Sequence, residues 1–430
     1  MSGRARPLVG SSPVWVTELD LVAPPPRLVA PPPPGGVGTY ELVYLLLRVG
    51  SEPLAMANHA LVDGELDVAA VIDEATATHG ARIDELARRS LRVCDVLGHD
   101  TPPISVVIGT YRRPEKVAAC VARVLKQGYP APFEVIVVEN GRIDDATERI
   151  LADRFGADAR VRHLSILEPG LSRARNVGLA AAHHPITAFL SDDILVDSHW
   201  MLAIARGFAR HDDVRCVLGY CPQLYLDTEQ QQTFEHLMRW GSENGFEPFL
   251  ASDAGRADPL HPYRIASYNG SNMSFDTDYF RRSGGFDEAL GPGTPARGGE
   301  DLDAPVRVLL AGHDVSFEPA ALGWHNDEQA GRGFASHMFT YGLGLTAFLA
   351  SHALDPRCRR PLFVRAIRGA RYVLPSGPAG SASPFPRARV RRRYWLANVA
   401  GRLAGPVALV RSRRAGHRIG PVEVSGATTP

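Results

Sequence analysis

Ile186-Thr187-Ala188-Phe189-Leu190 is a continuous apolar run that stops at Ser191-Asp192-Asp193. A run of this length bounded by polar residues predicts a strand covered on both faces in a parallel sheet. Adjacent aspartates at its C-terminal end bring negative charge to the lip where open α/β sheets bind their ligands. Hard divalent cations take oxygen ligands, so the pair suits a metal that clamps a diphosphate. Taken alone, the step fits a solvated turn better, because aspartate favours turns through its own hydrogen bonds to the backbone.

The same pattern repeats upstream. Ile104-Ser105-Val106-Val107-Ile108 and Phe133-Glu134-Val135-Ile136-Val137-Val138 predict two more buried strands, and Arg162-His163-Leu164 a weaker one. Amphipathic stretches at Glu115 to Leu125, Ala146 to Phe155 and Ser172 to Ala182 predict the helices between them. Strands alternating with helices require right-handed crossovers, which align the strands' C-terminal ends along one edge. Gly109-Thr110, Glu139-Asn140 and Asp192-Asp193 should therefore converge.

Composition narrows the possibilities. The chain has 430 residues, 45% hydrophobic, enough for one large domain with additions or for two to three ordinary ones. Its 47 basic and 47 acidic side chains leave no global field to draw nucleic acid. Five scattered cysteines without paired spacing indicate neither a disulfide scaffold nor a zinc site, and reduced thiols point to a cytoplasmic protein. No signal-peptide-like run opens the chain and no apolar stretch is long enough to span a bilayer.

Residues 1–100 read as an accessory α/β module with a proline-rich linker, Pro24-Pro25-Pro26 and Pro31 to Pro34. In it, Tyr40 to Val49 and Leu54 to Val62 predict paired strands, and a helical pattern begins at Asp67. Residues 101–350 read as the catalytic domain, and residues 351–430 as a basic helical or partly disordered tail. Phe334 to Leu349 predicts a helix whose aromatic and leucine stripe is core, with Tyr341 a candidate for the border of an acceptor channel. Arginines then dominate from Arg357 to Arg418, with Tyr394-Trp395-Leu396 among them. This composition fits an anionic membrane surface and a solvated tail equally well.

Neither Gly-x-Gly-x-x-Gly after the first strand nor Gly-x-x-x-x-Gly-Lys is present, so a metal held by carboxylates is the natural counter-charge for phosphates. Ordered blocks surround the acidic pair: Ile104 to Pro114, Val137-Val138-Glu139-Asn140-Gly141, Gly170-Leu171-Ser172-Arg173-Ala174-Arg175-Asn176-Val177-Gly178, Gly284-Gly285-Phe286-Asp287-Glu288, Gly299-Glu300-Asp301-Leu302-Asp303 and Trp324-His325. From about Pro103 to His325 they resemble the family 2 glycosyltransferases of GT-A fold, which move a sugar from a nucleotide diphosphate. The resemblance implies a GT-A type nucleotide-diphospho-sugar transferase fold, a mostly parallel α/β sheet flanked by helices.

The resemblance also distributes roles. It implies that Thr110 and Tyr111, with Arg112 beside them, contact the nucleoside, and that Glu139 hydrogen-bonds the base where the family more often has aspartate. Arg175, with Arg173 nearby, would face the base or the diphosphate, although exposed arginines also form weak surface ion pairs. Asp192 would reach the ribose, and Asp193 would bind Mn²⁺ or Mg²⁺ with His325 as second ligand, imidazole suiting Mn²⁺ better. Ser191 stands where the commoner motif has another aspartate. Asp301, preceded by Glu300, would be the base that an inverting transfer requires, although acids also cap helix N-termini. Asn272 and Asp287 are placed near the donor sugar and acceptor.

These expectations describe an inverting, metal-dependent glycosyltransferase. Its donor is a nucleotide-diphosphate sugar, UDP-sugar favoured, and its acceptor could be lipid-linked at the inner face of the cell membrane. A sugar-phosphate nucleotidyltransferase and a non-catalytic nucleotide- or membrane-binding scaffold are the alternatives.

Overall fold

A computed structural model describes residues 12–33, 38–89, 101–238, 246–255, 260–263, 270–326, 333–373 and 392–416. The N-terminal part contains β1 (Trp15–Asp20), β2 (Leu28–Val29), β3 (Leu42–Val49), β4 (Glu52–Ala60), β5 (Glu65–Leu66) and α1 (Val68–Arg89). Strand β3 is the centre of a three-stranded sheet, parallel to β1 and antiparallel to β4. Gly50, at φ 59°, makes the β3–β4 turn in a conformation that glycine adopts without a Cβ penalty. The described part of the proline-rich stretch, up to Pro33, follows β1 in the chain and contains β2, which pairs with β5.

Next come β6 (Ile104–Thr110), α2 (Pro114–Leu125), β7 (Phe133–Asn140), α3 (Ala146–Phe155), β8 (Val161–Ile166), α4 (Leu171–Ala181) and β9 (Ile186–Ser191). These four strands are parallel in the order β9-β6-β7-β8. The chain continues through β10 (Ile194–Val196), α5 (Trp200–Ala209), β11 (Val214–Tyr220), α6 (Glu229–Met238), β12 (Phe249–Leu250) and α7 (Ala251–Gly255). It then forms β13 (Asn272–Asp276), α8 (Thr277–Arg282), α9 (Glu300–Leu310) and β14 (Asp314–His325). Strand β13 enters the sheet antiparallel between β9 and β11, and β14 carries β11 on one side and β10 on the other. His325 is thus the last residue of a 12-residue strand.

Alternation along the parallel strands builds a core on each face of the sheet. Val107, Ile136, Val138 and Phe189 pack on one side with Phe275, Phe280, Phe286 and Phe317. Val106, Ile108, Val135, Val137, Ala188 and Leu190 pack on the other with α2 and α5. Burial on both faces is the reason these strands read as unbroken apolar runs.

Helices α10 (Phe334–Leu354), α11 (Arg359–Val373) and α12 (Arg392–Arg414) complete the fold. Helix α12 lies closely along α10: a Cβ at Gly342 would run into the Asn398 carbonyl, and one at Gly401 into the Phe339 carbonyl. Arg413 on α12 grips Asp287 with both nitrogens, at 2.8 and 2.5 Å. The described end of the basic tail is therefore a packed helix. The N-terminal sheet is docked as firmly, through Arg48 to Asp197 (2.8 Å) and through Arg206, which joins Glu52 (2.6 Å) to Glu318 (2.7 Å).

Candidate active site

The register of the parallel strands sets Gly109 opposite Ser191 and Thr110 opposite Glu139. Loops leaving β6, β7 and β9 consequently meet at one edge. The Thr110 hydroxyl donates to Asp192 Oδ2 at 2.7 Å. The Asn140 amide donates to the Thr110 carbonyl at 2.7 Å and accepts from Gly170 N–H at 2.9 Å, tying three motif loops together. Tyr111 is 45% exposed, and its ring lies against Gly141, whose φ of 62° and missing Cβ make room for it. The Arg112 guanidinium sits 4.8 Å from the centre of that ring.

Asp192 and Asp193 are buried at this lip. Burial first, and then the Asp193 charge, push the Asp192 carboxyl up to about 6. Arg113 Nη1 lies 3.2 Å from Asp192 Oδ1 and 3.1 Å from Asp193 Oδ2, so a guanidinium touches both acids. Strand pairing of β10 with β14 brings His325 opposite Ile194, next to Asp193. Its Nε2 lies 3.8 Å from Asp193 Oδ1, too far for a hydrogen bond, while its buried Nδ1 has no hydrogen-bond partner among the described residues. A carboxylate and an imidazole at this separation can both reach one cation, whose bonds to such donors are about 2.0–2.2 Å. Among the described residues, no three His, Cys, Asp or Glu side chains gather round one point.

The second acidic centre begins helix α9. Gly299 takes φ 96° at the N-cap, and Glu300 and Asp301 follow in the first turn. Arg175, itself buried, donates to Glu300 Oε1 at 3.2 Å and to the Gly270 carbonyl at 3.0 Å. Burial, then repulsion from Asp301, raises Glu300 to about 7, and burial pulls the Arg175 guanidinium below its ordinary value. Burial also raises Asp301, against the pull of Arg175 and of backbone N–H groups at the helix start. Asp303 serves differently: it pairs with Arg307 at 2.8 Å and His352 at 2.9 Å and fastens α9 to α10. Tyr341, 40% exposed on α10, lies within electrostatic reach of Asp301.

Other predicted contacts have partners within the fold. Glu139 accepts from the Thr147 hydroxyl with Oε1 at 2.7 Å, while its buried Oε2, 3.6 Å from His163 Nε2, has no hydrogen-bond partner among the described residues. The additional methylene of glutamate reaches helix α3, and it is Asn140 that crosses the lip. Arg175 is paired with Glu300, and Arg173 pairs with Glu288 (3.3 Å) and Glu168 (3.6 Å). Asn272 belongs to the scaffold: its amide accepts from Trp200 Nε1 (2.9 Å) and donates to the Ala321 carbonyl (2.7 Å). Asp287 is spent on Arg413. Sequence reasoning missed Arg113. Its only signal was its place just before Pro114, which starts α2 close to the sheet edge.

Residues 105–258 match the model of Glycosyl transferase family 2. The chain is 25% identical over 268 residues to validoxylamine A glucosyltransferase of Streptomyces hygroscopicus subsp. limoneus, covering 58% of this chain and 57% of that protein. It is 24% identical over 248 residues to chondroitin synthase of Escherichia coli, covering 52% of this chain and 34% of that protein. The chain thus matches little more than half of the first relative's length and about a third of the second's. Among solved structures, a mannosyltransferase from Pyrobaculum calidifontis in complex with GDP-Man and Mn²⁺ aligns with a TM-score of 0.45 at 17% identity, covering 80% of this chain and 97% of that one.

Proposed function

From the premise that this chain carries a family 2 glycosyltransferase domain, we propose that it transfers a sugar from a nucleotide diphosphate, UDP favoured, to an acceptor hydroxyl with inversion. The observation that carries this reading is the pairing of two different acidic centres. One is Asp193 with the Nε2 of His325 3.8 Å from its Oδ1, and the other is the Glu300–Asp301 pair at the start of α9, whose proton affinity burial raises.

Asp193 and His325 would hold Mn²⁺ or Mg²⁺. When bound, the cation supplies charge neutralisation for the departing diphosphate. Thr110 fixes Asp192 for the ribose, and Tyr111, Gly141 and Asn140 wall the nucleoside side. The acceptor oxygen attacks the anomeric carbon as the bond to the diphosphate breaks, and the acceptor proton passes to the Asp301 carboxylate. Glu300 and Arg175 keep that carboxylate in place. We assign this chemistry to residues 101–350.

The acceptor is proposed to be lipid-linked at the inner face of the cell membrane. Supporting this, α12 exposes Trp395 (59%) and Leu396 (48%) close to Arg392 and Arg393 and, further along, Leu403 (78%), and no Asp or Glu occurs from Pro356 to Gly416. Among the described residues no helix is long and apolar enough to cross a membrane.

The test is release of nucleotide from a panel of nucleotide sugars with Mn²⁺ or Mg²⁺. Release that is lost on adding chelator is expected. No release from any donor, or full activity in both Asp193→Asn and Asp301→Asn, overturns the proposal.

A further inference from the structure

Arg113 lies against both carboxylates of the Asp192–Asp193 pair. It is the residue before the first turn of α2, and Pro114 at the helix start holds its backbone in place. Its Nη1 is 3.1–3.2 Å from one oxygen of each aspartate. Its side chain is 50% exposed, whereas those of Asp192 and Asp193 are only 8% and 11% exposed. Two buried carboxylates side by side need a counter-charge in the absence of ligand, and this guanidinium supplies one from the solvent side. A half-exposed ion pair is weak enough to exchange. Lys116, one turn further along α2, donates to the Asn326 carbonyl (3.2 Å) and ties the start of the helix to the end of β14 beside His325. Side-chain rotation of Arg113 alone can therefore vacate the pair while the helix stays fixed.

We propose that Arg113 is an internal counter-ion that competes with the divalent cation for Asp192 and Asp193, so that metal binds tightly only when a diphosphate draws the guanidinium away. The proposal rests on the reading of Asp193 and His325 as metal ligands. A diphosphate offers the guanidinium fork more and better-matched oxygens than the carboxylate pair does, so release of the acids and capture of the leaving group occur together. Metal and donor would then load as a unit, and a bare cation would be held poorly.

The distinguishing signature is a change of sign. Mn²⁺ binding, followed by the loss of the free-ion paramagnetic resonance signal, would be measured on the full chain and on Arg113→Met and Arg113→Gln, with and without UDP. UDP binding would be measured at saturating Mn²⁺. Without nucleotide, both variants are expected to bind Mn²⁺ more tightly, about fivefold for a half-exposed ion pair. At saturating Mn²⁺ they are expected to bind UDP more weakly. Loss of fold or a generally loosened site would lower both affinities, and melting temperature serves as the check. Unchanged or weaker Mn²⁺ binding in folded variants without nucleotide overturns the proposal while leaving the metal site standing. Absence of Mn²⁺ binding to the wild type even with UDP overturns the metal site and the proposal together.

Discussion

The two acidic pairs of this protein, Asp192–Asp193 and Glu300–Asp301, are neighbours in sequence within each pair and differ in how their charge is balanced. The first faces Arg113, whose side chain is 50% exposed, and the second faces Arg175, whose side chain is 3% exposed. A solvent-facing cation can leave and a buried one cannot without a large desolvation cost. Under the proposed function, the first arrangement suits a ligand that comes and goes, and the second a base that keeps one position through every turnover. Adjacent acids alone do not separate these two proposed roles; the opposing arginines differ in exposure and supply a testable contrast.

Four experiments would break or sharpen this contrast. The largest effect is expected from Asp301→Asn, which should lower transfer about 10²- to 10⁴-fold, the range for losing a general base, while donor affinity measured by calorimetry stays unchanged. Loss of donor binding instead would place Asp301 with the first pair. Next is Arg175→Met, which strands Glu300 as an uncompensated buried acid and should cost about 3–5 kcal/mol in denaturant unfolding. Arg175 also holds the Gly270 carbonyl, so protection of that backbone in hydrogen exchange should fall as well.

The third concerns pH. Glu300 is raised from 4.5 to about 7 in the fold, chiefly by burial and then by Asp301, so the folded state binds its proton more tightly than the unfolded chain does. The stability this contributes is present below about pH 4.5 and is lost as pH rises through about 7. Transfer should run the opposite way, rising through the same window as the acid pair ionises. Glu300→Gln should move the activity limb to lower pH, and an unmoved limb in rate–pH profiles would separate Glu300 from the base. The smallest effect is expected from Arg113→Met on stability, about 0–1 kcal/mol by denaturant unfolding, because its charge is half solvated. A cost equal to that of Arg175→Met would erase the contrast.

Much of the sheet was legible because its signals are local. The apolar runs of β6, β7 and β9 announce burial on both faces, and the first turn of α9 announces itself by Gly299 followed by acids. Strand β1 and the antiparallel insertion of β13 were not, since pairing partners lie far away along the chain. Glu139 and Asn272 show the same limit at the site, since their partners Thr147 and Trp200 are assigned only by packing.

What the sequence determined by itself is the order of strands and helices along the parallel half of the sheet and the placement of acids at its C-terminal edge, both consequences of local periodicity and strand direction. Tertiary structure alone decided which arginine answers which acid. Arg113 reaches Asp192 across 79 residues and Arg175 reaches Glu300 across 125, so their partners depend on how distant segments pack. Electrostatic energy depends on distance and on solvent access, and both are properties of the folded chain.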